Sequence, residues 1–146
     1  MSALAAAPRA LARAVRRAPR RRLARRPARG EWSATEVLGH LLDAEVTLGF
    51  RIRKLAAEPG AVIVAWDQER WTDGLRHRRA NAPTLVAAYA ALRAANMDQV
   101  RRMSPAQRRA AGRHPEYGRL RVDQILTHWA EHDLIHLEQI RAALRA

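Results

Sequence analysis

The chain has 146 residues, 48% of them apolar, with no cysteine and a formal net charge of +13. This length and composition suit one domain with its own core and exclude disorder throughout; the missing cysteines exclude disulfides, thiolate ligands and a cysteine nucleophile. No apolar run reaches the roughly 20 residues a bilayer crossing needs, and no secretory apolar segment is evident, so a cytoplasmic location without a membrane partner is expected.

The basic surplus is unevenly placed. Residues 1–30 hold ten arginines and no acid, whereas residues 31–146 hold 17 basic and 14 acidic residues. A surplus of this size invites a nucleic-acid reading. In a chain with 26 arginines and one lysine, its confinement to one alanine–arginine segment reads first as compositional bias on a solvated helix. Nucleic acid is therefore not the expected partner. Binding through the N-terminal arginines stands third among the functional readings.

Within the first 29 residues Leu4, Leu11 and Val15 share a helical face. Pro8 is acceptable there as a first-turn residue, and Pro19 breaks whatever precedes it. From Ser33 the pattern sharpens. Ser33 and Glu36 form a capping box, and Trp32 and Val37 a hydrophobic staple. Val37, Leu41, Ala44, Leu48, Ile52 and Leu55 follow at helical spacing, to a stop near Pro59-Gly60. Residues 59–82 read as a long connection, with a short helix at Asp67–Gly74 and a basic run at Arg76–Arg79. A second long helix starts near Pro83-Thr84, with Leu85, Ala88, Tyr89, Leu92, Met97 (or Asn96) and Val100 on its apolar face, and ends near Met103. Ser104-Pro105 caps a short extra turn. "RHPEYGRL" reads as a loop, and the last helix spans about Arg121 to Leu144. No alternating apolar pattern suggests a sheet.

That last helix carries His128, His132 and His136. Histidines at i and i+4 lie one turn apart and can reach one ion through bonds of about 2.0–2.1 Å. Three in such a row cannot, because the outer two lie about 12 Å apart along the axis. At roughly 100° per residue, His132 and His136 fall on the inner margin of the apolar stripe and His128 nearer to solvent. Position favours the pair His132 and His136. A third ligand must come from His40, His77 or His114. His77 and His114 sit in basic, loop-like surroundings, whereas His40 lies at the edge of its own stripe, where packed helices would bring it to His132. Three neutral imidazoles leave coordination positions open, as in catalytic rather than structural sites. Asp133 falls inside the stripe, and a buried carboxylate needs a partner. It can accept from a ligating imidazole and fix its tautomer, or pair with Arg51. A polar tie between helices is favoured over a direct catalytic role.

"GEWSATEVLGHLLDAE" (Gly30–Glu45) and "HPEYGRLRVDQILTHWAEHDLIHLEQI" (His114–Ile140) resemble the DinB-like superfamily, metal-binding four-helix bundles that include bacillithiol and mycothiol S-transferases. The most specific parts are "WS..EVL.HL.D.E" and "HD..HL.QI". The resemblance implies an all-α, up-down-type four-helix bundle in which His40, His132 and His136 hold a zinc-, nickel- or iron-type divalent ion at one end. It also implies activation of a low-molecular-weight thiol, which must come from outside a chain without cysteine. The leading expectation is a metal-dependent thiol S-transferase acting on small electrophiles. The alternatives are a metal-dependent hydrolase with the same ligands and a non-enzymatic metal-binding or stress-associated protein. The expected partner is a small-molecule substrate, held in a pocket under the connection carrying Trp66 and Trp71. Assembly as a homodimer stays open.

Overall fold

The computed structural model describes residues 2–146. Four long helices, α1 (Ser2–Val15), α3 (Ala34–Ala57), α5 (Ala82–Arg102) and α7 (Val122–Arg145), form the bundle. Shorter pieces join them: α2 (Arg20–Leu23), α4 (Gln68–Gly74), a 3₁₀ turn (His77–Arg79), α6 (Pro105–Arg109), and the strands β1 (Ala111–His114) and β2 (Gly118–Arg121). Helix α3 packs on α5 and α7, and α1 packs on the same two. Helices α1 and α3 thus face each other across the bundle.

Local chemistry sets the helix starts. Ser33 Oγ accepts from the Glu36 backbone N–H, and Glu36 Oε2 accepts from the Ser33 N–H at 2.8 Å. Two orphan donors at the start of α3 are thereby satisfied. Trp32 and Val37 are buried in the same apolar cluster, as a staple requires. Asn81 caps α5, and Ser104 with Gln107 boxes α6, with Pro105 in its first turn.

The apolar core falls into two clusters, and their order along each helix gives its direction. One holds Leu11, Leu41, Leu85 and Ile140; the other holds Leu4, Ile52, Val100 and Trp129. Helices α1 and α7 run from the second cluster to the first, and α3 and α5 run the opposite way. The direction sequence is therefore up, down, down, up, not a simple alternation. Neighbours α3 and α5 are parallel, so residues 58–81 must carry the chain back along the bundle, which is why that connection is long. Between the clusters lies a polar layer: His40, Asp43 and Glu45 on α3, Arg93 and Asn96 on α5, Asp133 on α7, all buried.

Two local readings change. Pro8 lies inside α1, not in its first turn. A proline at that position has no N–H to give the carbonyl four residues back. That carbonyl is Leu4 O, and the buried Arg93 guanidinium donates to it at 2.7 Å. The stretch read as a loop is an antiparallel hairpin, with Ala111 opposite Arg121 and His114 opposite Gly118. Its strands are four residues each and lack apolar alternation, so no period-2 signal exists to be read. Its cohesion is backbone pairing: Ile63 N donates to Arg113 O at 2.8 Å and Arg113 N to Ala61 O at 3.0 Å, docking the connection on β1. Gly112 is required there, because a Cβ would sit 2.2 Å from Ala61 O.

Candidate metal centre

Helix α3 brings His40, and α7 brings His132 and His136, to one point between the helices. One ring nitrogen from each lies within 4.8 Å of the others. His40 Nε2 and His132 Nε2 are 2.9 Å apart, and the ring centroids of His132 and His136 are 4.3 Å apart. The cluster lies level with the polar layer, not at an end of the bundle. His128 stands off, its ring 6.1 Å from that of His132 and outside the converging set.

The hydrogen bonding is not that of packed core histidines. A buried imidazole ordinarily pairs both nitrogens. Here the Nδ1 atoms of His40 and His132 are buried without a partner among the described residues. His136 Nδ1 lies 2.7 Å from Gln139 Oε1. A carboxamide oxygen only accepts, so His136 carries its proton on Nδ1 and presents the Nε2 lone pair to the cluster. Burial pushes the His40 pKa down to about 3 and that of His132 to about 2, and the neighbouring imidazoles push the same way. Burial also lowers that of His136. All three are neutral at pH 7 and each brings one ring nitrogen to the cluster, a donor set that fits a divalent cation.

The other candidates have different partners. His77 is buried with its Nε2 2.7 Å from Asp43 Oδ2. His114 Nδ1 accepts from the backbone N–H groups of Glu116 and Tyr117, closing the hairpin turn. Among the described residues Asp133 forms no hydrogen bond with an imidazole and no ion pair with Arg51. It accepts from Tyr89 Oη at 3.0 Å and pairs with Arg93 at 2.7 Å. The Arg51 guanidinium donates to Val64 O instead. Asp133 is thus the interhelical tie, with Arg93 as its cation. Sequence reasoning placed Leu92 on the α5 stripe, but Leu92 is exposed and Arg93 is the buried neighbour.

A model of the DinB superfamily matches residues 3–140. The chain belongs to that superfamily. A "Putative metal-dependent hydrolase" of Oceanobacillus iheyensis is 25% identical over 113 residues, which cover 76% of this chain and 64% of that protein. The chain spans just under two thirds of the length of this curated relative. Among solved structures, YfiT from Bacillus subtilis, described as "a probable metal-dependent hydrolase with an unusual four-helix bundle topology", superposes with a TM-score of 0.92. It is 20% identical, and the match covers 99% of this chain and 83% of YfiT. At that identity the likeness shows the fold.

In this DinB-superfamily chain His40 and His132 open onto a cavity of about 400 Å³ lined also by Arg51, Trp66, Glu69 and Tyr117, among others. Its wall is the connection that returns the chain from α3 to α5. Trp66 stacks on the His40 ring at 5.4 Å and 11°, and Trp71 buttresses Trp66 edge-on at 5.0 Å. Trp71 backs the wall without lining the cavity. Trp32 Nε1 donates to Glu69 Oε2 at 3.1 Å and lies 5.0 Å, ring to ring, from His40. Trp66 lines the cavity as the sequence led one to expect, whereas Gln139 and Glu69 are site neighbours that the sequence did not single out. Gln139 alone carried a local signal, three residues beyond His136 on the same helix face. No described helix is long and apolar enough to cross a membrane.

Proposed function

We propose that His40, His132 and His136 hold a divalent metal ion and that the protein is a metal-dependent hydrolase of small substrates. The observation that carries this reading is the convergence of three neutral imidazoles, two of them with an Nδ1 that has no partner among the described residues, beside an open cavity that His40 and His132 line. When bound, such an ion lowers the pKa of a water or thiol and polarises a carbonyl. The chain supplies the rest. Trp66 covers one face of His40 and keeps solvent from that side. Trp32 orients Glu69 towards the cavity, where its carboxylate takes up the proton released on attack. The similarity to proteins described as metal-dependent hydrolases favours hydrolysis.

Activation of an external thiol remains the second reading. The same neutral ligands leave the ion its full charge for a thiolate as for hydroxide, and the cavity admits a small thiol. The deciding experiment measures metal content of the purified protein and of His132→Ala. It then compares ester and amide cleavage with thiol consumption, each with and without chelator. Metal bound at one equivalent, with chelator-sensitive cleavage, is the expected result. Chelator-sensitive thiol consumption without cleavage would move the assignment to transferase. Equal metal content in wild type and His132→Ala would remove the site.

A further inference from the structure

Away from the cavity, two basic runs far apart in sequence meet. Arg20, Arg21, Arg22 and Arg25 of the N-terminal segment and Arg78 and Arg79 of the crossover line one groove, together with Pro19 and Ala24. The lining contains no acid and no aromatic ring. All six arginines are exposed, and none pairs with a carboxylate among the described residues. Half of them are tied to backbone carbonyls instead. Arg78 Nε donates to Ala24 O at 2.9 Å, Arg20 to Arg79 O at 3.5 Å, and Arg22 Nε to Leu144 O at 2.9 Å. These bonds fix the positions of the guanidinium groups without neutralising them.

Both walls are anchored in the core. Leu23 is buried under α2. On the other side His77 is held by Asp43 and packs on Gly39 so closely that a Cβ there would lie 2.3 Å from its ring. Compositional bias alone would scatter arginines. It gives no reason for two separate runs to converge on one rigid, single-signed groove.

We propose that this groove binds the phosphate backbone of a nucleic-acid duplex, independently of sequence. Arginine forks match phosphate oxygens in geometry and charge. An open groove lined by exposed side chains suits an extended polyanion better than a small metabolite, which is usually held by enclosure. A membrane surface would call for apolar side chains beside the basic ones, and an acidic protein for an apolar anchor; the groove has neither. Without aromatic residues there is nothing for unpaired bases to stack on, which favours duplex over single strand.

The test is fluorescence anisotropy of a labelled DNA duplex of about 20 base pairs, titrated with the full-length protein at several salt concentrations. Six neutralised phosphates give a slope of log K against log salt of about −5, and a loss of roughly 10³-fold between 50 and 200 mM salt. The variant Arg21→Ser/Arg25→Ser/Arg79→Ser removes side chains that make no hydrogen bond among the described residues and keeps the three carbonyl ties. It should lower the slope by about 3 units and weaken binding at least tenfold. The control Arg13→Ser/Arg109→Ser/Arg119→Ser removes the same charge elsewhere and should change binding less than threefold. Circular dichroism confirms that both variants are folded. Equal loss from the two variants, or a slope shallower than about −2, would overturn the proposal. So would tighter binding to phosphatidylserine vesicles, or to the single strand, at equal phosphate concentration.

Discussion

Metal-free protein should lose stability steeply on mild acidification, because of the buried imidazoles. An unfolded histidine titrates near 6.5, whereas burial holds His40 at about 3 and His132 at about 2. At pH 7 both states are neutral and the histidines have no effect on the balance. Below about 6.5 the unfolded chain takes up protons that the folded chain refuses, so stability falls with pH. The loss continues until the folded groups themselves protonate, near pH 3 for His40 and pH 2 for His132. Each such group costs about 1.4 kcal/mol per pH unit inside that window. From pH 7 to 5 this is about 2 kcal/mol each, or about 4 for the pair, against a total of roughly 5–15 for a domain.

His136 acts in the same direction. Glu45, whose carboxyl burial pushes up, acts in the opposite one, since the folded state then holds its proton longer. A difference measurement separates them. Urea unfolding of wild type and His132→Ala, both with chelator, is measured between pH 7 and 5. The variant's dependence on pH should be flatter by about 1 kcal/mol per unit averaged over that range. Added divalent metal should stabilise the wild type most at the upper end, where protons compete least for the imidazoles. Identical pH slopes for wild type and variant would refute the claim that His132 is buried neutral.

Replacing His128 with alanine should leave metal stoichiometry unchanged; metal loss from that variant while His136→Ala retains it, read by elemental analysis, would show the wrong pair was chosen. Gln139→Leu removes the acceptor that holds the His136 tautomer and should weaken metal binding by about 10–100-fold in a competition titration. Ser33→Ala removes one half of the box that starts α3 and should cost about 0.5–2 kcal/mol of unfolding free energy. Arg93→Met leaves Glu45 and Asp133 buried without their cation and should cost about 3–5 kcal/mol.

Much of this fold was legible because it is written in local chemistry. The Ser33–Glu36 box and the Ser104-Pro105 cap act over three residues or fewer, so no knowledge of the rest of the chain is needed to read them. The histidine site was legible for a similar reason. Helical angle alone separates His132 and His136 from His128, and the stripe edge singles out His40. What the sequence hid depends on which helix lies across from which. Asp133 could be recognised as buried but not assigned to Arg93, since α5 and α7 are separated by α6 and the hairpin. Arg93 itself looked like a solvent residue beside Leu92, because a charged side chain inside an apolar core makes sense only once its partners are known. The parallel order of α3 and α5 was hidden too: a long connection can be seen in a sequence, but the direction it imposes cannot.

That direction and the site are linked. A connection between antiparallel neighbours could have stayed at one end of the bundle, leaving the polar layer open to solvent. Because α5 starts at the same end as α3, residues 58–81 have to pass the middle of the bundle, where the histidines are. Trp66 meets the His40 ring on that passage, and Glu69 meets Trp32. The polar layer sets the level at which this happens. Arg93 reaches Leu4 O on α1, Glu45 on α3 and Asp133 on α7 from its place on α5. One guanidinium thereby fixes the axial register of all four long helices. Burial works to discharge Arg93, yet its bonds to Asp133 and Glu45 and the nearby Tyr89 hold its pKa above the ordinary value, so it stays a cation. Such buried ion pairs add little net stability over an apolar core of the same shape. Their contribution here is register. Glu45 lies five residues beyond His40 on α3, and Asp133 lies between His132 and His136 on α7. The tie that aligns the carboxylates with Arg93 therefore also brings the three imidazoles to one level.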